Sequence, residues 1–294
     1  MSHEGVLLGR LADFIELTKP RIAVLALATV VFGFTLGSAG VWSTSNCMHA
    51  LIGIGLVAAA SSALNQFFER AVDAKMPRTV NRPLPSGRIS GKEALAFGVG
   101  AAAFGLLYLA MFTNATTVVL AASTLVLYAF VYTPLKRVTA LCTAVGAIPG
   151  ALPPVLGWTA AGGSLDAAAF SLFALMFVWQ FPHFTAIAWL YRQQYADAGL
   201  KMLPAGASSQ FAGFVAVAYA LVMIPVSLLP AEWALAGNGY LLAALILGLA
   251  YLASSIRFMI RQSVETAQGL LWTSLIYLPV LLFALVWDHW TLLQ

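Results

Sequence analysis

The chain has 294 residues, of which 61% are hydrophobic and only 9% charged, with a formal net charge of +4. A soluble globular domain carries charge at about a quarter of its positions, so that class is excluded. The small basic excess fits the inner loops of a membrane protein and needs no nucleic-acid partner. Cys47, two residues before His49, and Cys142 show no CxxC spacing. Neither a disulfide framework nor a zinc site is indicated.

The first 20 residues are polar, end in LTKPR and carry no cleavable signal pattern. Beyond them, a ruler of about 20 apolar residues per bilayer helix marks nine spans. They run at roughly 22–40, 47–64, 94–113, 115–132, 140–159, 167–189, 211–229, 239–256 and 268–287. The eighth is the weakest signal, short and ending at Arg257, and a count of eight would move the carboxy-terminus to the other side. The fold class is therefore all-α, a polytopic integral membrane protein with 1–294 as one transmembrane domain. Arg10, Lys19 and Arg21 precede the first span, six basic residues separate the second from the third, and Lys136 and Arg137 follow the fourth. Arg192 and Lys201 follow the sixth, and Arg257 and Arg261 follow the eighth. All 15 lysines and arginines thus fall on one side. By the positive-inside rule the amino-terminus is cytoplasmic and the carboxy-terminus outside. Two long inner loops, 65–93 and 190–210, lie four spans apart and suggest a four-plus-four helical repeat with a ninth helix appended. Function is expected at the inner face.

The loop between the second and third spans holds the densest chemistry. NQFFERAVDAKMPRTVNRPLPSGRISGK, residues 65–92, contains Glu69 and Asp73, six basic residues and three prolines. If 65–76 is helical, Asn65, Glu69, Asp73 and Met76 share one face. An amide and two carboxylates on one stripe suit magnesium, which takes a few carboxylates plus substrate phosphate. Arg78, Arg82 and Arg88 follow, and planar guanidinium forks grip phosphate oxygens well. The plainer reading is a solvated pair of acids balanced by Arg70 and Lys75, although a charged stripe on a span end is costly unless it faces a cavity. Pro83 and Pro85 forbid helix, and Ser86-Gly87 allows a turn, so a fixed basic loop is expected. That loop serves either the stripe or orientation against anionic headgroups.

Further along, Pro134 stops the fourth span in YTPLKR, leaving Lys136 and Arg137 as a second phosphate grip or a simple topology signal. AVGAIPGALPPVLGW is a wall of small residues and prolines, suited to close helix packing. In WQFPHF, Pro182 is expected to kink the sixth span beside Gln180 and His183, and polar groups at membrane depth commonly mark functional cavities. A hydrogen-bonded core histidine is the plainer alternative. The second long loop, YRQQYADAGLKMLP, has Asp197 as its one carboxylate, with Arg192 and Lys201.

Together these segments resemble the UbiA superfamily of intramembrane prenyltransferases. Asn65-x3-Glu69-x3-Asp73 is similar to its first aspartate-rich motif, with glutamate at the middle position. Within the superfamily, DAKMPRTVNRPLPSGRIS, YTPLKR, GAIPGALPPVLGW, WQFPHFTAIAW and AGLKMLP resemble the branch that farnesylates protohaem IX. The resemblance covers about 13–205 and implies nine helices around a central cavity open to the cytoplasm of a bacterial inner membrane. It also implies transfer of farnesyl from farnesyl diphosphate to a vinyl group of haem B, giving haem O. Residue by residue, it implies that Asn65, Glu69 and Asp73 hold Mg2+, and that Arg78, Arg82, Lys136 and Arg137 bind diphosphate. Catalysis would fall to Asn65, Glu69, Asp73, Arg78 and Lys136. Haem or other substrate contacts would come from His183, Gln180, Tyr195 and Tyr132. Implied protein partners are a haem A synthase or terminal-oxidase assembly factors. An acceptor from the aromatic or quinone-precursor class, and a cation transporter, are the alternative readings. One departure stands out: Gln194 precedes Tyr195 where relatives usually carry an acid. Asp197 is then the candidate substitute ligand, and either a weakened second metal site or a single tightly held Mg2+ is expected.

Overall fold

Ser43, Ser90, Asn114, Asp166 and Ser263 each accept a backbone N–H two or three residues into the helix that follows. Such caps satisfy the free amides of a helix start and fix where each helix leaves its loop. The computed structural model describes residues 3–202 and 209–294, and the described residues contain helices and turns but no strand. In chain order the helices are α1 (His3–Leu17), α2 (Pro20–Gly37), α3 (Thr44–Asp73), α4 (Gly91–Phe112) and α5 (Ala115–Leu135). Then come α6 (Cys142–Ala151), α7 (Pro153–Ala160), α8 (Ala167–Leu190), α9 (Arg192–Asp197), α10 (Ser209–Glu232), α11 (Asn238–Arg261) and α12 (Val264–Leu292).

Eight of these are long and apolar enough to cross a membrane, and α6 with α7 makes the ninth span in two pieces. The break falls at Leu152, because Pro153 and Pro154 open α7 and have no N–H to continue the ladder. The nine expected spans are therefore present, several of them longer than the apolar window. Helix α3 is the clearest case: it continues past the expected end at 64 for more than two further turns, to Asp73. Residues 3–17, in the stretch before the first expected span, form α1, which the apolar ruler did not anticipate.

Large apolar side chains such as Phe104, Leu107, Trp272 and Phe283 are more than 60% exposed on the flanks of the bundle. In a spanning protein such faces meet lipid, so they carry no penalty. The interior divides into two clusters. Val30 and Phe34 of α2 pack with α3, α4 and α5 around Ile54, Val57 and Leu109. Tyr240, Tyr251, Tyr277 and Phe258 anchor α11 and α12 against α8 and α10. Helix α12 packs on both α8 and α11, so the ninth span completes the second bundle and is no appendage.

The two halves are tied together by α2 against α7. A Cβ on Gly157 would run into the Val30 carbonyl, and one on Gly33 into the Pro154 carbonyl. Small residues here let two backbones touch, which is how helices associate where lipid removes the hydrophobic drive. The close crossing fixes the second half of α2 against the broken span.

Candidate active site at the basic end of the bundle

The helices alternate in direction, so the lysines and arginines gather at one end of the bundle. There the last two turns of α3 carry Asn65, Glu69 and Asp73, spaced four apart and facing inward. Asn65 is 0%, Glu69 8% and Asp73 1% exposed. Met76 lies beyond the end of the helix, its N–H donating to the Asp73 carbonyl, and packs with Val72 and Tyr195 instead. Buried carboxylates need partners, because an uncompensated charge out of water is expensive. Each member of the stripe meets a cation from a different segment. Lys19 Nζ donates to Asn65 Oδ1 at 2.7 Å, Lys136 Nζ lies 2.7 Å from Glu69 Oε1, and Arg82 Nη1 donates to Asp73 Oδ2 at 2.7 Å.

Local backbone chemistry delivers each of these cations. Arg82 rides on the loop after α3, where Pro83 and Pro85 prevent helix and successive turns close through Arg82 N–H to Thr79 O and Ser86 N–H to Arg82 O. Gly87 takes φ +75°, a value glycine adopts freely, and the Thr79 hydroxyl donates to the Asp73 carbonyl. Lys136 follows α5, which changes at Val126 from α to π winding and stays so to Tyr132. Pro134 has no N–H for the ladder, and the wider turn lets the Thr133 hydroxyl donate to Tyr128 O. Such π segments occur often at functional sites. Here it turns Tyr132, Thr133 and Lys136 toward α3, with Lys136 Nζ 4.3 Å from the centre of the Tyr132 ring. Burial works against the charge on Lys136, yet Tyr132 and Glu69 carry its pKa above the usual lysine value.

Thr133 also settles which way Asn65 points. Its hydroxyl proton is committed to Tyr128 O, so it accepts from Asn65 Nδ2 at 2.9 Å. The amide oxygen of Asn65 is thereby presented on the same face as the carboxylates. Lys19, for its part, stands between α1 and α2 with φ 54° and ψ 60°. That left-handed conformation costs a non-glycine residue roughly 1–2 kcal/mol and persists only where surrounding contacts hold it.

The other expected residues fall into three groups. Arg78 reaches the second loop: its guanidinium lies 4.9 Å from the Tyr191 ring, and Nη2 is 3.5 Å from the hydroxyl of buried Tyr195. Arg137 donates to the Phe68 carbonyl rather than to the stripe, and Arg88 pairs with Asp13 and Glu16 of α1. Asp197 is exposed and accepts from Gln193, so the structure does not bring it to the stripe. Gln194, by contrast, turns its amide oxygen inward, where it has no hydrogen-bond partner. The Lys201 amide donates to Lys136 O at 2.7 Å and fastens this loop to α5. The end of AGLKMLP, at 203–204, lies outside the described residues.

Gln180 and His183 occupy α8. Gln180 is buried and donates to Ala147 O and Met176 O, so it ties α8 to α6. His183 is half-buried, stacks on Trp179 at 4.9 Å, and shares a 2.8 Å hydrogen bond with the Ser274 hydroxyl of α12. Tyr251 donates to Trp179 O, adding a third helix to this group. Sequence reasoning missed Lys19, Thr133 and Ser274. TKPR and YTPLKR were read for their charges, and Ser274 lies in an otherwise apolar span.

The donor set fits magnesium. Two carboxylates and one amide oxygen are hard ligands, few enough to leave coordination sites for phosphate oxygens and water. Lys136 Nζ lies 2.7 Å from Glu69 Oε1, and a carboxylate with one such partner still has lone pairs to offer a metal. Among the described residues no group of three His, Cys, Asp or Glu forms an alternative metal site.

The UbiA prenyltransferase family profile matches residues 26–278. The chain belongs to that family. It is 44% identical over 287 residues to the protoheme IX farnesyltransferase of Solibacter usitatus, covering 94% of this chain and 98% of that one. Its fold is similar to that of a digeranylgeranylglyceryl phosphate synthase, with a TM-score of 0.81 at 18% identity over 95% of this chain and 98% of the other. It is also similar to a UbiA homolog from Archaeoglobus fulgidus bound to GPP and Mg2+, with a TM-score of 0.65 at 18% identity over 93% and 99% of the two chains. Those two likenesses bear on the fold alone.

Proposed function

We propose that this chain is a magnesium-dependent protohaem IX farnesyltransferase that converts haem B and farnesyl diphosphate into haem O and diphosphate. The carrying observation is the buried Asn65, Glu69 and Asp73 stripe, met by Lys19, Lys136 and Arg82. Acids and bases interleaved at one mouth of an apolar bundle suit a ligand that is itself a metal-bound polyanion with a greasy tail. The acceptor is supported by the name that curated relatives of this length and identity share, Solibacter usitatus among them.

In this reading Asn65, Glu69 and Asp73 would hold Mg2+, which would supply positive charge against the diphosphate. Arg82 and Lys136 are placed to grip the diphosphate oxygens and stabilise the leaving group as the C1–O bond of farnesyl breaks. Arg78, on the same loop as Arg82, supports them through Tyr191 and Tyr195 of the second loop. The allylic cation is attacked by a haem vinyl carbon. Water then adds to the neighbouring carbon and loses a proton, leaving the hydroxyl of haem O. The reaction balances as haem B, farnesyl diphosphate and water giving haem O and diphosphate. His183, oriented by Ser274 and Trp179, contacts the porphyrin, and Tyr132 lines the path between the two substrates. With Asp197 exposed and an uncharged Gln194 on the second loop, one Mg2+ is bound tightly.

The basic end faces the cytoplasm of a bacterial inner membrane and the carboxy-terminus faces out, as the one-sided placement of lysine and arginine supports. Haem O then passes to a haem A synthase or a terminal-oxidase assembly factor. The test is to incubate membranes containing the protein with haem B, farnesyl diphosphate and Mg2+, and to separate the haems by chromatography and mass. Haem O should form and should require the metal. Prenylation of a phenolic acid with no haem O would assign the chain to a different acceptor class.

A further inference from the structure

We propose that Lys19, at the junction of α1 and α2, is a diphosphate-gripping residue of this site. The proposal rests on the reading of the stripe as a metal and diphosphate site. Within that site it assigns a cation that neither of the two inner loops supplies.

Three observations carry it. First, the ladder is regular: Asn65, Glu69 and Asp73 each face one cation at 2.7 Å, and Lys19 stands to Asn65 as Lys136 stands to Glu69 and Arg82 to Asp73. Second, the amide of Asn65 has no charge to neutralise. Lys136 and Arg82 balance carboxylates, whereas the Lys19 ammonium is half-buried against a neutral oxygen and brings one positive charge beyond what the stripe cancels. Surplus charge at a desolvated site is costly unless an anion is to be met there. Third, the backbone is bent to deliver it. Lys19 is one of four non-glycine residues with positive φ among those described, and it does not cap α2 with its side chain. Pro20 disfavours ordinary helical geometry at Lys19 and so separates α1 from α2. The side chain is free to leave the membrane surface, where a lysine in a TKPR sequence is expected to reach toward water. It turns inward instead.

A structural role makes a different demand on the same residue. If Lys19 only satisfies Asn65 Oδ1, any donor of similar length serves. If it grips phosphate oxygens, the charge is what matters. Lys19→Gln keeps an amide donor for Asn65 and removes the charge, and Lys19→Arg keeps the charge. The probe is inorganic diphosphate with Mg2+, titrated into the detergent-solubilised protein by calorimetry, with thermal unfolding measured in parallel. This readout involves neither farnesyl nor haem, so it separates failure of the Lys19 assignment from failure of the haem acceptor.

The expected result is that Lys19→Gln weakens diphosphate binding about ten- to a hundredfold, the worth of one charge-assisted hydrogen bond, while Lys19→Arg stays within a few fold. Unfolding temperature should be little changed in both. Unaltered diphosphate affinity in Lys19→Gln overturns the proposal. So does a loss of affinity accompanied by a matching loss of thermal stability, since Lys19 would then be holding Asn65 and α1 in place.

Discussion

Lys136 and Glu69 face one another between the end of α5 and the last turns of α3, with Nζ 2.7 Å from Oε1 and both side chains about nine-tenths buried. Two opposite charges out of water are tolerable only together. Removing the lysine strands the acid, and removing the acid strands the lysine. Lys136→Met should lower kcat for haem O formation by about a hundred- to a thousandfold, the usual cost of losing one donor to a developing anion. Glu69→Gln should raise the Mg2+ concentration needed for half-maximal activity. The double variant should lose less than the product of the two single losses, because contacting residues couple. Strict multiplication of the two effects would show that the pair does not act as a unit.

Thr133 offers a subtler test. Its hydroxyl fixes the Asn65 amide so that the oxygen, not the nitrogen, lies beside the carboxylates. Thr133→Val removes that constraint without touching a charge. The Mg2+ concentration for half-maximal activity should rise about tenfold, near the net worth of a hydrogen bond to a neutral group, with kcat at saturating metal nearly restored. An unchanged metal requirement would mean that Asn65 is oriented by other means.

The group on α8 should report on the other substrate. His183→Ala should raise KM for haem B while leaving KM for farnesyl diphosphate unaltered, and Ser274→Ala should do the same to a smaller degree. A matching rise for farnesyl diphosphate would instead place His183 on the path of the prenyl tail.

Stability should respond most to the crossing of α2 and α7. Gly157→Val sets a branched side chain against the Val30 carbonyl, and overpacking of this kind costs about 1–3 kcal/mol. The unfolding temperature in detergent should fall. The same substitution at Gly100, whose Cβ position meets no atom within 4 Å, should be nearly silent.

Much of this was legible in the chain. Apolar length located all nine spans, because a bilayer imposes one ruler on every helix. The spacing of Asn65, Glu69 and Asp73 identified the stripe, because fourfold spacing on a helix leaves little freedom. What stayed hidden depended on contacts between distant segments. Arg137 and Lys136 are neighbours in sequence, yet one reaches the backbone of α3 and the other its carboxylate. Asp197 had the right charge but lies on the exposed side of α9, while uncharged Gln194 turns inward. Lys19 counted toward topology because a lysine beside a membrane span ordinarily does no more.

The π segment of α5 sets the phase of everything after it. An α-helix advances about 100° and 1.5 Å per residue. Deleting a single residue between Val126 and Tyr132 would barely shorten the span, yet it would rotate Thr133 and Lys136 roughly a quarter-turn away from α3. Hydropathy and span count would be untouched, and the site would be dismantled. For this fold, an insertion or deletion in one apolar helix is a change of register at the candidate site, invisible to any comparison that scores only which residues are present.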